Sequence, residues 1–136
     1  MWKILVVEDD ESSRKLLIKT LKGKAFCLEA TTGREAIDLY NLSIREKAKY
    51  DLILLDIMMP DMDGIEVLQT IREKEERGHI DKKKRIPVIM VTVKSEKQAV
   101  LEACKKGCDD YIVKPIDTDI IVEKIEKILK RRSQIT

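Results

Sequence analysis

The chain predicts a three-layer α/β sandwich, a parallel five-stranded sheet with helices on both faces. Three observations carry this. The short runs Ile4–Val7, Leu52–Leu55 and Val88–Val91 are apolar without alternation, as strands covered on both faces are. Between them lie longer stretches whose apolar residues recur at helical spacing. The two patterns alternate along the whole chain, and strand–helix alternation is the signature of a parallel sheet with right-handed crossover helices. At 136 residues the chain makes one domain with a substantial core.

Taken in order, Ile4–Val7 ends in acid at Glu8-Asp9-Asp10, and a helix follows from about Glu11 with Leu16, Leu17 and Leu21 on one face. Gly23 is its expected stop. A weaker second strand covers Phe26–Ala30, and Thr32-Gly-Arg-Glu35 has the capping-box spacing that opens a helix through Ala36, Ile37 and Tyr40. The exit of that helix, residues 41–49, is longer than a minimal connection. The central strand, Leu52–Leu55, delivers Asp56 to its carboxyl end. Asp63 caps a third helix carrying Ile65, Leu68 and Ile71, which frays near Arg77-Gly78 into a basic loop over 79–85. Pro87 opens the fourth strand, where a missing N–H is tolerated. Ser95-Glu-Lys-Gln98 is a second capping box, and the fourth helix closes at Gly107. Tyr111–Val113 forms the fifth strand, and Asp117 or Thr118 caps a last helix with Ile121, Ile125 and Ile128 inward. We expect the domain to occupy residues 1–132, with 133–136 as a tail.

Composition narrows the function. A net charge of +2 from 27 basic and 25 acidic residues supplies no global field for nucleic acid and argues against direct binding to it. No apolar run approaches the roughly 18 residues of a membrane span. The N-terminus meets acid at Glu8 without a small-residue cleavage site, unlike a signal peptide. Three cysteines, none in a CxxC pair, argue for a reducing, cytoplasmic address rather than a disulfide framework.

The chemistry-bearing residues stand in register. Glu8 and Asp9 follow the first strand, Asp56 the third, Thr92 the fourth and Lys114 the fifth. Five parallel strands bring all of them to the carboxyl rim, where open α/β sheets place their sites. Carboxylates about 5 Å apart repel by roughly 3 kcal/mol per pair at an effective dielectric of about 20. That is a large share of a domain stability of about 5–15 kcal/mol. Lys114 relieves part of it. A hard divalent cation relieves more, and all-oxygen ligation suits Mg²⁺, with Mn²⁺ as the alternative. A free carboxylate, a lysine, a hydroxyl and a divalent ion together are the equipment of phosphoryl transfer.

Val6-Val7-Glu8-Asp9-Asp10, Leu55-Asp56-Ile-Met-Met-Pro60-Asp-Met-Asp-Gly64, Val91-Thr92 and Tyr111-Ile-Val-Lys114-Pro115 resemble, in that order, the receiver domain of two-component response regulators of the chemotaxis-regulator kind. The resemblance spans nearly the whole chain. It implies a flavodoxin-like fold with strand order 2-1-3-4-5. It further implies Asp56 as phosphoacceptor, with Glu8, Asp9, Asp56 and the Met58 carbonyl as the Mg²⁺ ligands. Thr92 and Lys114 would hold the phosphoryl oxygens, with Thr92 and Tyr111 as the switch pair. The implied partners are a sensor histidine kinase or a histidine phosphotransfer protein. The implied output face is the fourth helix, fifth strand and fifth helix, with a phosphorylation-dependent homodimer as one outcome. Such a domain is a switch with slow self-dephosphorylation, not a conventional enzyme. Glu8 and Ile116 depart from the usual aspartate and aromatic at their positions.

The other features read blandly. Asp61-Met-Asp63-Gly64 has its glycine too early for a calcium-binding EF-hand loop and suits a turn and helix cap. Cys104 and Cys108 read as small buried residues, His79 as a solvated loop residue, and 79–85 as a solvated insertion.

Overall fold

The computed structural model describes residues 1–93 and 97–134. Five strands, β1 (Trp2–Val7), β2 (Ala25–Ala30), β3 (Leu52–Asp56), β4 (Val88–Val93) and β5 (Asp110–Lys114), form one parallel sheet in the order β2-β1-β3-β4-β5. They alternate with α1 (Glu11–Leu21), α2 (Gly33–Arg45), α3 (Gly64–Arg77), α4 (Lys97–Lys106) and α5 (Thr118–Ser133). This is the flavodoxin-like arrangement expected from the sequence.

Period-two alternation along the strands divides the core into two layers. Leu5, Val7, Ile53, Leu55, Val88 and Met90 point to one face and pack against α2, α3 and Ala103 of α4. Ile4, Val6, Leu52, Leu54 and Ile89 point to the other, against Leu17 and Leu21 of α1 and Ile121, Ile125 and Ile128 of α5. Both sides of β1 and β3 are therefore sealed, which is why those strands are unbroken apolar runs.

The expected caps form. Thr32 Oγ1 accepts from the Glu35 amide, and Asp63 Oδ1 accepts from the Glu66 amide. Asp117 rather than Thr118 caps α5, taking the amides of Asp119 and Ile120. Gly23 and Gly107 take φ of +84° and +98° after α1 and α4, the left-handed geometry that ends helices at glycine. Asp61 accepts from the amides of Gly33 and Arg34 and so ties the loop after β3 to the start of α2.

Several expectations need correction. Leu16 is 38% exposed, and the stripe of α1 that packs is Leu17, Leu21 and half-buried Ile18. With 3.6 residues per turn, Leu17 and Leu21 share a face and Leu16 sits about 100° off it. The last strand runs one residue further at each end than expected, Asp110–Lys114, with Ile112 buried on one face and Tyr111 and Val113 exposed on the other. The 79–85 segment contains a 3₁₀ turn at Lys82–Lys84 capped by Asp81. Cys104 is exposed and Cys108 half-buried, so the reading of both as buried fails. Cys104 lies on the solvated side of α4, and Cys108, just past its end, is half-buried, which pushes its thiol up to about 12. The capping box at Ser95–Gln98 lies partly outside the described residues.

Candidate functional site

β1 and β3 are neighbours, but their crossover helices α1 and α3 leave toward opposite faces. A crevice opens above their carboxyl ends for that topological reason. Glu8 follows β1 directly, Asp56 ends β3, Thr92 lies one residue beyond the partner of Asp56 on β4, and Lys114 pairs with Val93 at the end of β5. Parallel register alone delivers these groups to one rim.

Glu8, Asp56 and Thr92 are buried, whereas Asp9 faces solvent. One carboxylate oxygen from each of Glu8, Asp9 and Asp56 lies within 4.8 Å of the others. Lys114 Nζ reaches Glu8 Oε1 at 2.7 Å and Asp56 Oδ2 at 3.8 Å. Glu8 Oε1 is fully buried and faces Lys114 Nζ as a close ion pair. Glu8 Oε2 accepts from the Asp10 amide, and Asp56 Oδ1 from the Met58 amide at 3.2 Å.

The electrostatics follow from this crowding. Burial, then the hydrogen bond and charge of Glu8, push the Asp56 carboxyl up to about 8; Lys114 and the Met58 amide pull the other way. For Lys114, burial favours the neutral amine but is outweighed by Glu8 and Asp56, and its pKa rises. The cluster is short of positive charge. Three hard carboxylate oxygens within 4.8 Å of one another, faced by a single ammonium, fit a divalent cation.

Thr92 Oγ1 donates to its neighbour's carbonyl, Val93 O, at 3.3 Å. Tyr111 is not part of the crevice. The residue is 42% exposed, with Lys124 Nζ 5.9 Å from the ring centroid. Lys124 is held there by Asp110 at 3.0 Å. Asp109 turns the other way, to the Val88 amide and Arg72.

Three supporting residues were given no role from the sequence. Arg14 donates to the Glu8 carbonyl at 3.0 Å and pairs with Glu29, fixing the loop that carries the acids. Asp10 caps α1 by accepting from the Ser13 amide. Gly64 lies against the backbone of Asp56 and Ile57, and donates its amide to Ile57 O at 2.8 Å. The Asp63-Gly64 pair at a helix start was visible in the sequence, but the close approach was not.

A side chain at position 64 would overlap the Asp56 carbonyl oxygen and come within 2.9 Å of Ile57 Cα. Backbone cannot yield as a side-chain tip can. Gly64→Ala is therefore expected to cost about 1–3 kcal/mol, the usual range for overpacking, and to weaken divalent-cation binding by displacing Asp56. Urea unfolding and a Mg²⁺ titration check this; an unchanged midpoint would mean the turn absorbs a methyl group freely.

Among the described residues, no helix is long and apolar enough to cross a membrane. Comparison with known proteins agrees with the geometry. Residues 4–126 match the family model "Response regulator receiver domain". The chain is 42% identical over 133 residues to the transcriptional regulatory protein ResD of Bacillus subtilis, covering 97% of this chain and 50% of ResD. It is 37% identical over 135 residues to SrrA of Staphylococcus aureus, covering 98% of this chain and again 50% of the relative. It thus spans about half the length of these curated relatives. Among solved structures, a CheY-like response regulator receiver domain protein from Methanospirillum hungatei superposes with a TM-score of 0.80 at 27% identity, covering 100% of this chain and 99% of the other. The crevice at the β1–β3 switch point, the order of the strands and the family match agree: the chain belongs to the response regulator receiver domains of two-component signal transduction.

Proposed function

We propose that Asp56 accepts a phosphoryl group from a phosphohistidine on a sensor kinase or histidine phosphotransfer protein, with Mg²⁺ or Mn²⁺ bound by Glu8, Asp9, Asp56 and the Met58 carbonyl. The observation that carries this reading is the meeting of three carboxylate oxygens within 4.8 Å, one of them on Asp56, with Lys114 Nζ 3.8 Å from Asp56. The metal, when bound, supplies the charge neutralisation that lets an anionic donor approach. An Asp56 oxygen forms the new O–P bond as the donor's P–N bond breaks. Lys114 offers a second cation to the transferred oxygens. Thr92 Oγ1 has only a long bond to give up at 3.3 Å, and is free to turn to the phosphate. Slow attack by water on the acyl phosphate resets the domain.

A phosphoryl group brings about −1.5 to −2 charge and several strong acceptors. Drawing Thr92 toward it vacates space beside β5, and the exposed Tyr111 ring is the group placed to respond. The output surface is α4, β5 and α5, where Leu101, Tyr111, Val113 and Ile120 are exposed apolar side chains. A second copy of the chain is one candidate occupant of that surface, and sedimentation with and without beryllofluoride tests it. We take residues 1–132 as the working domain, in the cytoplasm.

The test is intact mass after incubation with acetyl phosphate. The wild-type protein is expected to gain one phosphoryl group with Mg²⁺ and none with a chelator, while Asp56→Asn gains none under either condition. A variant that gains phosphate as readily as the wild type would refute the assignment of Asp56.

A further inference from the structure

At the amino-terminal rim of the sheet, opposite the acidic crevice, lies a cavity of about 600 Å³ lined by eight Lys and Arg side chains and two carboxylates. The whole chain carries only +2, so this end holds a concentration of positive charge that the rest of the molecule offsets. Part of it has a local cause. The carboxyl ends of α3, α4 and α5 converge here, and basic residues in a last turn stabilise a helix by about 0.3–1 kcal/mol each. Lys105, Lys106 and Arg131 belong to such turns. Lys82 and Lys83 do not: they lie in the insertion between α3 and β4. Their presence closes a ring of cations that helix ends alone do not require.

The donors divide into two kinds. Arg132 is spent on the carbonyls of Lys83, Lys84 and Arg85; Arg72 on Glu75, Asp109 and the Gly107 carbonyl; Arg85 Nε on Ile80 O. Among the described residues, Lys82, Lys83, Lys105 and Lys106 form no ion pair and give no side-chain hydrogen bond. Three of the four arginines build the basin, and the lysines, with Arg131, are left to receive something. A free ammonium is a compact point charge with three rotatable donors, suited to phosphate oxygens more than to the planar fork of a carboxylate. A concave space of this size fits a chain of two or three phosphates, whereas a duplex about 20 Å across cannot enter it. Among the described residues, no aromatic side chain lines the cavity, so a nucleobase has nothing to stack on.

We propose that this basin is a binding site for a compact polyphosphate, a di- or triphosphate chain either free or carried by a nucleotide, recognised through its phosphates alone.

The experiment is calorimetric titration of the 136-residue protein in magnesium-free buffer with inorganic triphosphate, ATP, orthophosphate and a DNA duplex. Triphosphate and ATP should bind with similar affinity, at least about tenfold tighter than orthophosphate, and weaken as salt rises. The triple variant Lys82→Gln, Lys83→Gln, Lys105→Gln should lose about tenfold, whereas Lys19→Gln, Lys22→Gln, Lys47→Gln, with the same charge removed elsewhere, should not. Equal loss in both variants would reduce the effect to net charge and overturn the site. So would unchanged binding by the first variant. ATP far tighter than triphosphate would overturn recognition by phosphate alone, and binding of duplex without triphosphate would overturn the choice of ligand.

Discussion

Asp56→Asn is expected to make the metal-free protein more stable than the wild type above about pH 8, by about 3 kcal/mol, the size of one close like-charge repulsion. The sign follows from proton counting. The Asp56 carboxyl is raised from 3.8 to about 8 in the folded protein. Between those values the folded state holds a proton that the unfolded state has released, so wild-type stability falls as pH rises through that window and levels off above it. Burial and the neighbouring Glu8 are the causes, and asparagine removes both the proton and the charge while keeping the shape. In chelator, thermal melts from about pH 5 to about pH 9 should therefore slope downward more steeply for the wild type than for the variant. Adding Mg²⁺ should raise the wild-type midpoint most at high pH, where the cation need not displace a proton, and leave the variant nearly unmoved. Parallel pH profiles for the two proteins would show that the cluster is not strained in the way its geometry implies.

That strain was readable in the residue order. Once β1, β3, β4 and β5 are taken as parallel, the residues that follow them must share a rim, and Glu8, Asp9, Asp56, Thr92 and Lys114 carry their chemistry in their types. The two-sided burial of β1 and β3 was equally legible, because unbroken apolar runs have only one economical use. What sequence did not reveal depends on neighbours distant in the chain. The exposure of Leu16 is decided by where α5 packs. The inward turn of Asp109, away from Lys124 and toward the Val88 amide and Arg72, is decided by a helix 37 residues earlier. The fit of Gly64 against Asp56 is a matter of backbone approach that no residue-type rule anticipates. The basic segment at 79–85 is solvated, as read, apart from its 3₁₀ turn; that it shares a rim with the ends of three helices is visible only in the fold.

The anchor of that segment makes the second large effect. Glu75 is 2% exposed, near the end of α3, where a helix-face reading would place a solvated acid. Its Oε1 meets Arg72 Nη1 at 2.6 Å and its Oε2 accepts from the Ile86 amide at 2.7 Å. Arg72 in turn reaches Asp109 and the Gly107 carbonyl ahead of β5. One buried carboxylate thus joins α3, the start of β4 and the approach to β5. Glu75→Ala leaves a guanidinium with half its counter-charge and an orphaned backbone donor. Breaking a buried pair by removing one partner costs about 3–5 kcal/mol, a large part of a stability of about 5–15 kcal/mol. Glu75→Gln keeps an acceptor for the Ile86 amide and should cost less, about 1–3 kcal/mol, mainly the lost charge on Arg72. Urea unfolding of the three proteins measures both steps. The ordering matters more than either value: if alanine and glutamine are equally harmful, the pairing with Arg72 dominates and the hydrogen bond to Ile86 contributes little, and if neither moves the midpoint, the segment is held by Arg132 and its carbonyl contacts instead.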